Sequence, residues 1–244
     1  MGDDGRVREA TAIMRAFCAR TGLDAASGAS PTPWREPRAA GRGARDDAAA
    51  RRYLWTDAFA VCNLLGLARD TGDAGLLDTA LGLVDEVHRV LGRERPDSGR
   101  HGWISGLDEA EGERHPTEGG LRIGKPLPER APGEPFDESL EWERDGQYFH
   151  YLSKWMLALD RAACTTGRPA LNAWGRELAA AAMRGFVVPS GPGGRPRLAW
   201  KMSIDLSRPL VPSTGQHGPL DGFLACERLR ATAARLASIP GAET

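Results

Sequence analysis

Apolar residues recur at helical spacing in six stretches of the chain. Over 6–21, Val7, Ala10, Ile13, Met14, Phe17 and Cys18 share one face, which predicts a helix that Gly22 stops. Over 48–70 apolar residues from Tyr53 to Leu67 occupy nearly every side, the pattern of a buried helix, and Thr56, Asp57 and Asn63 inside it need polar partners. TGDAG at 71–75 turns this helix into a second, over 76–91, whose polar face carries Asp78, Asp85, Glu86 and Arg89. Two helices joined this way form an αα-hairpin. The pattern repeats downstream. A helix over 139–166 sets Tyr148, Leu152, Trp155 and Leu159 on one face and Gln147, His150 and Lys154 on another. TGRP then leads into an amphipathic partner over 170–188 with Leu171, Trp174, Leu178, Ala182 and Phe186, and a sixth helix is predicted over 219–238.

Between the helices lie long irregular segments. Residues 23–47 are rich in Ala, Gly, Pro and Arg and read as a flexible loop, with Trp34 tacking it to the body; 239–244 reads as a tail. In 92–138, GLRIGKPLPER alternates Leu121, Ile123 and Leu127 with Arg122 and Lys125, predicting an ordered, partly extended piece, while the preceding GWISGLDEAEGERHP is expected to be more flexible. The stretch 198–223, LAWKMSIDLSRPLVPSTGQHGPLDGF, lacks helical periodicity but gathers Trp200, Lys201, Asp205, Arg208, Gln216, His217 and Asp221 among prolines and glycines. Ordered loops carrying titratable groups are where binding and catalysis concentrate.

Composition narrows the function classes. The 244 residues, 41% hydrophobic and 27% charged, are enough for one domain with a substantial core. A net charge of −1 gives no electrostatic case for nucleic acid or an anionic membrane. No apolar run is long enough to span a bilayer, and the acidic MGDDGRVREA start lacks a signal-peptide core, so a cytoplasmic protein is expected. The four cysteines are scattered without a CxxC pair, and neither His150 nor His217 stands at a tight metal spacing, so no cofactor or metal is expected. The excess of arginine over lysine, with abundant Ala and Gly, is typical of GC-rich bacterial coding.

Together these features predict an all-α chain of stacked αα-hairpins. The more buried helices each begin with aromatics beside a carboxylate, in YLWTD, DGQYFHY and HGPLDGF; in a closed ring such ends converge on one mouth. The blocks WTDAFAVCNLLGLA, GLRIGKPLPER, WERDGQYFHYLSKWMLALDRA and WKMSIDLSRPLVPSTGQHGPLDGF, spanning about 51–223, resemble those of a bacterial family within the six-hairpin glycosidase-like α/α toroids. That superfamily includes glycoside hydrolases, polysaccharide lyases and sugar epimerases. The resemblance implies one α/α-toroid-like domain over 1–244 acting on a small-molecule or oligosaccharide substrate. Six helices make about half a ring, so the expectation is an incomplete toroid, a homodimer or a truncated product.

The first expectation is a glycoside hydrolase, which needs two carboxyl groups flanking the bond, one as general acid and one as base or nucleophile. Asp57, Asp145, Asp205 and Asp221 are the candidates, with Glu141 and Glu143 behind them; the competing role for each is capping or ion pairing. A sugar epimerase would use His150 and His217 for proton transfer. Trp55, Tyr148 and Trp200 are candidates to stack on a sugar, as is Trp155, and core packing is the alternative for each. Gln147, Lys154, Lys201, Arg208 and Gln216 are candidate substrate-binding groups, with a salt bridge to Asp205 as the alternative for Lys201 and Arg208. The competing reading of the whole is a non-catalytic helical binding protein.

Overall fold

A computed structural model describes residues 3–23, 52–189, 194–214 and 217–238. Trp34 and Gln216, and the expected loop and tail beyond Leu23 and Ser238, lie outside these residues. The described chain is mostly helical: α1 (Asp3–Arg20), α2 (Leu54–Thr71), α3 (Ala74–Leu91), α4 (Glu109–Arg114), α5 (Glu138–Glu141), α6 (Phe149–Thr166), α7 (Pro169–Phe186) and α8 (Gly218–Ala237). Among the described residues no helix is long and apolar enough to cross a membrane.

Both predicted hairpins form, and by the same device. α2 and α6 each end on a glycine in the left-handed region, Gly72 at φ +70° and Gly167 at φ +71°, whose N–H returns to the last turn of the helix. Side chains other than glycine rarely take that conformation, so each TG pair fixes where its hairpin folds back. α6 is the centre. It packs against α2, α7 and α8, and Leu152, Trp155, Leu159 and Ala162 on it are fully buried. α1 covers α2, and α8 leans on both α6 and α7.

The structure divides the helix expected over 139–166. α5 ends at Glu141, and α6 begins at Phe149. The break lies at Asp145 and Gly146. The fully buried Asp145 carboxylate accepts from Arg95 (3.0 Å), Arg122 (2.7 Å), Gly124 N (2.9 Å) and Gly146 N (3.0 Å). Gly146 has φ +144° and passes so near the Met202 carbonyl that a Cβ would lie 2.7 Å from it. Both demands exclude helix. Asp145 is therefore the knot that ties the 92–138 segment to the body.

That segment is more ordered than its composition suggests. GWISGLDEAEGERHP holds α4, and Trp103 is buried within it. Trp174 of α7 donates to the Arg114 carbonyl (2.8 Å), and Thr117 donates to the Trp174 carbonyl (2.7 Å). GLRIGKPLPER runs through the core edge: Ile123 accepts from Leu54 N and donates to the Gly146 carbonyl. Arg122 is buried there with Leu121 and Ile123, contrary to the expected alternation, because it serves Asp145, while Leu127 is part-exposed.

Two short antiparallel ladders, not expected from the sequence, hold the 198–223 stretch. β1 (Gln147–Tyr148) pairs with β4 (Lys201–Met202), Gln147 opposite Met202; β2 (Val187–Val188) pairs with β3 (Arg197–Leu198), Val187 opposite Leu198. The first ladder continues in Phe149 N donating to the Trp200 carbonyl (3.3 Å), which seats Trp200 over the start of α6.

Candidate functional site

The N-terminal ends of α2, α6 and α8 open on one cavity of about 480 Å³. α2 contributes Trp55; α6 contributes Phe149, His150 and Lys154; α8 and the residue before it contribute Asp221, Gly218 and His217; Leu198, Ala199 and Trp200 form the remaining wall. Neither α6 nor α8 has a side-chain cap at its start, so the positive end of each helix dipole adds to the potential there.

The polar groups are few and paired. Lys154 Nζ donates to Asp221 Oδ2 at 2.9 Å, an ion pair about one-quarter exposed. Trp200 Nε1 donates to His150 Nδ1 at 3.2 Å, which leaves the imidazole proton on Nε2. Burial, reinforced by the Lys154 ammonium and opposed by Asp221, pushes the His150 pKa down to about 4, so the ring is a neutral donor at physiological pH. Trp55 packs edge-on against His150 (5.5 Å between centroids) and Phe59 (5.1 Å). Behind this wall Tyr53 and Tyr151 are hydrogen-bonded through their hydroxyls.

Trp200 also lines a second, smaller chamber of about 170 Å³, with Tyr148, Trp142, Phe136, Glu138, Glu141 and Ser213. Burial, with the nearby Glu141 carboxylate, pushes the Tyr148 hydroxyl up to about 12, so it stays a neutral donor. Lys201 is fully buried beneath the chamber. Its Nζ donates to Glu141 Oε1 (2.8 Å) and to the carbonyls of Glu141 (2.7 Å) and Arg144 (2.9 Å).

The structure thus separates the sequence candidates. Trp55, His150, Lys154, Trp200, His217 and Asp221 come together in the main cavity, and Tyr148 reaches the smaller chamber. Asp57 faces away from both. It accepts from Tyr53 N (3.0 Å) beside Arg52, and burial lifts its pKa to about 6 against the pull of that guanidinium. Asp145 is the buried knot described above. Gln147 is in β1 and not on α6, so it does not share a helical face with His150; its amide is consumed by Leu121 N, Gly119 O and Ile204 O. Asp205 sits in a separate turn. Burial works against its charge, but the Ser203 and Ser207 hydroxyls outweigh it and hold the pKa down to about 2. Its ionic partner is Arg100, whereas Lys201 pairs with Glu141 and Arg208 donates to the Arg130 carbonyl, so the expected bridges to Asp205 do not form. Trp155 is core, donating to His88 Nε2 (3.0 Å).

Sequence reasoning missed Trp142, Phe136 and Phe149. Trp142 carried a signal: it is flanked by Glu141 and Glu143, so in a continuous helix it has no apolar neighbour along the chain. Among the residues lining the main cavity, Asp221 is the one carboxylate. The chain matches no known protein family and no curated protein sequence.

Proposed function

We propose that the main cavity is the saccharide site of a carbohydrate-active protein, and that His217 takes and returns a proton on the bound sugar while the neutral His150 donates its Nε2–H to a sugar oxygen, as in an epimerase or isomerase. The observation that carries this is the convergence of two indoles, two imidazoles and one Lys–Asp pair on a single concavity. Aromatic walls match the apolar faces of a sugar ring, and a few fixed polar groups read its hydroxyls. The Lys154–Asp221 pair offers both a donor and acceptors, and the neutral His150 offers Nε2–H.

The architecture fits this reading as an arc of an α/α toroid. In that reading α2, α6 and α8, whose N-termini open on the cavity, are the inner row, and α3 and α7 are their outer hairpin partners. The scattered cysteines suit a cytoplasmic setting for it. A glycoside hydrolase is the second reading. It needs a carboxyl beyond Asp221, and Glu138 and Glu141 line the adjoining chamber.

The test is incubation of the purified chain in D2O with glucose, galactose, mannose, N-acetylglucosamine and their α1,4- and β1,4-linked disaccharides, followed by proton NMR. Loss of a sugar C–H signal to solvent exchange, abolished in His217→Gln, supports proton transfer. Cleavage of a disaccharide, abolished in Asp221→Asn, supports hydrolysis in its place. Binding with neither reaction leaves a lectin-like role and overturns catalysis.

A further inference from the structure

We infer that the smaller chamber is a second sugar subsite, so that the natural ligand is an oligosaccharide of at least two rings straddling Trp200. This rests on the saccharide reading of the main cavity. Trp200 lines both concavities, so the two adjoin at one residue. Trp142 and Phe136, at the outer end, are each 47% exposed. Aromatic side chains contribute most when covered, and two half-bare rings lining one concavity form a surface that a flat apolar face would cover. Trp142 stands edge-to-face with Trp200, centroids 5.7 Å apart and planes at 81°.

The chamber is also rigidly built. Glu141, immediately before Trp142, is held through both its carboxylate and its carbonyl by the buried Lys201. A wall fixed before binding loses little freedom on binding, which favours affinity. Next to the aromatics stands the exposed carboxylate of Glu138, an acceptor for hydroxyl groups. Apolar faces rimmed by such an acceptor suit a sugar unit better than a purely hydrophobic group.

Tryptophan-fluorescence titration tests this with the same four monosaccharides and their α1,4- and β1,4-linked disaccharides, on the native chain and on Trp142→Ala. A disaccharide should bind about tenfold more tightly than its monosaccharide, equivalent to about 1.4 kcal/mol. Trp142→Ala should remove that advantage while leaving monosaccharide affinity unchanged, since Trp142 does not line the main cavity, and should lower the melting temperature only modestly, since the ring is half exposed. Equal affinity for one and two rings, or a variant that weakens both alike, overturns the second subsite and leaves the first standing. If none of these sugars binds, the saccharide reading falls and the subsite falls with it.

Discussion

Lys201 shows how far a single buried charge organises this molecule. Its ammonium is fully enclosed and sits 5.4 Å from the Tyr148 ring centroid, and burial lowers its pKa against the pull of Glu141. The gain is positional: three bonds from one Nζ bind residues 141 and 144 to β4, and with them the wall carrying Trp142. Removing one partner of a buried pair is far costlier than never having built it, because the other charge is left unpaired. Glu141 keeps Arg130 as an ionic partner at 3.2 Å, so Lys201→Met should cost less than a fully orphaned charge, about 2–3 kcal/mol in urea denaturation. The double variant Lys201→Met/Glu141→Leu should not recover that loss, because the two carbonyls stay bare and Arg130 then loses its carboxylate partner. A single variant as stable as the native chain would show that the network contributes nothing. The sequence placed Lys201 in the right stretch but gave it the wrong partner. The reason is physical: Asp205, four residues on, is close along the chain, whereas Glu141 reaches it only because β1 and β4 pair.

At the scale of elements, the site depends on how closely α8 approaches α6. Gly222 permits that approach, since a Cβ there would lie 2.7 Å from Phe149 Cζ. Phe149 cannot give way easily, being buried edge-on against Phe186 (5.5 Å). Gly222→Ala should push α8 outward at a cost of about 1–3 kcal/mol. The neighbouring Asp221 would draw away from Lys154, so sugar-induced fluorescence change should be lost while α-helical circular dichroism persists at 20 °C. Retained sugar response in Gly222→Ala would mean that this contact does not set the cavity. Helices such as α2, α3 and α7 were legible because periodicity is a local property, and the TG turns because αL glycine is a local demand. The division between α5 and α6 was not. WERDGQYFHY has helical spacing throughout, and what breaks it is the demand of Arg95 and Arg122, respectively 50 and 23 residues away, for the Asp145 carboxylate. The convergence of Trp55, His150, His217 and Asp221 was legible from the shared aromatic-plus-acid openings of their helices; the displacement of Asp57 and Gln147 was not, because each is claimed by a backbone N–H that the pattern does not reveal.

For the molecule as a whole, the buried titratable groups set opposing slopes of stability against pH. His88 joins α3 to α6 and α7, accepting from the Trp155 indole and meeting the Trp174 ring edge-on at 5.1 Å. Burial pushes its pKa from 6.5 down to about 3. Below pH 6.5 the unfolded chain binds a proton that native His88 refuses, so its contribution, full above 6.5, is lost as pH falls toward 3, at about 1.4 kcal/mol per unit. His150, lowered to about 4, acts in the same direction over its own window. Asp57 acts oppositely. Its native pKa of about 6 exceeds the usual 3.8, so the native state keeps a proton that the unfolded chain has released, and this contribution fades as pH rises through 6. Native Asp57 is already half protonated at pH 6, so it offsets part of the histidines' loss throughout the range from pH 6.5 to 4. Urea midpoints should accordingly fall on acidification from pH 6.5, and less steeply lower down, where Asp85 and Glu129, also raised by burial, add to the offset from Asp57. His88→Gln retains an acceptor for the Trp155 N–H, so it should change stability little at pH 7.5 yet flatten the acid limb by about 1.4 kcal/mol per unit. An acid limb as steep in His88→Gln as in the native chain would assign acid sensitivity to other groups and remove His88 as the central proton-linked element of the core.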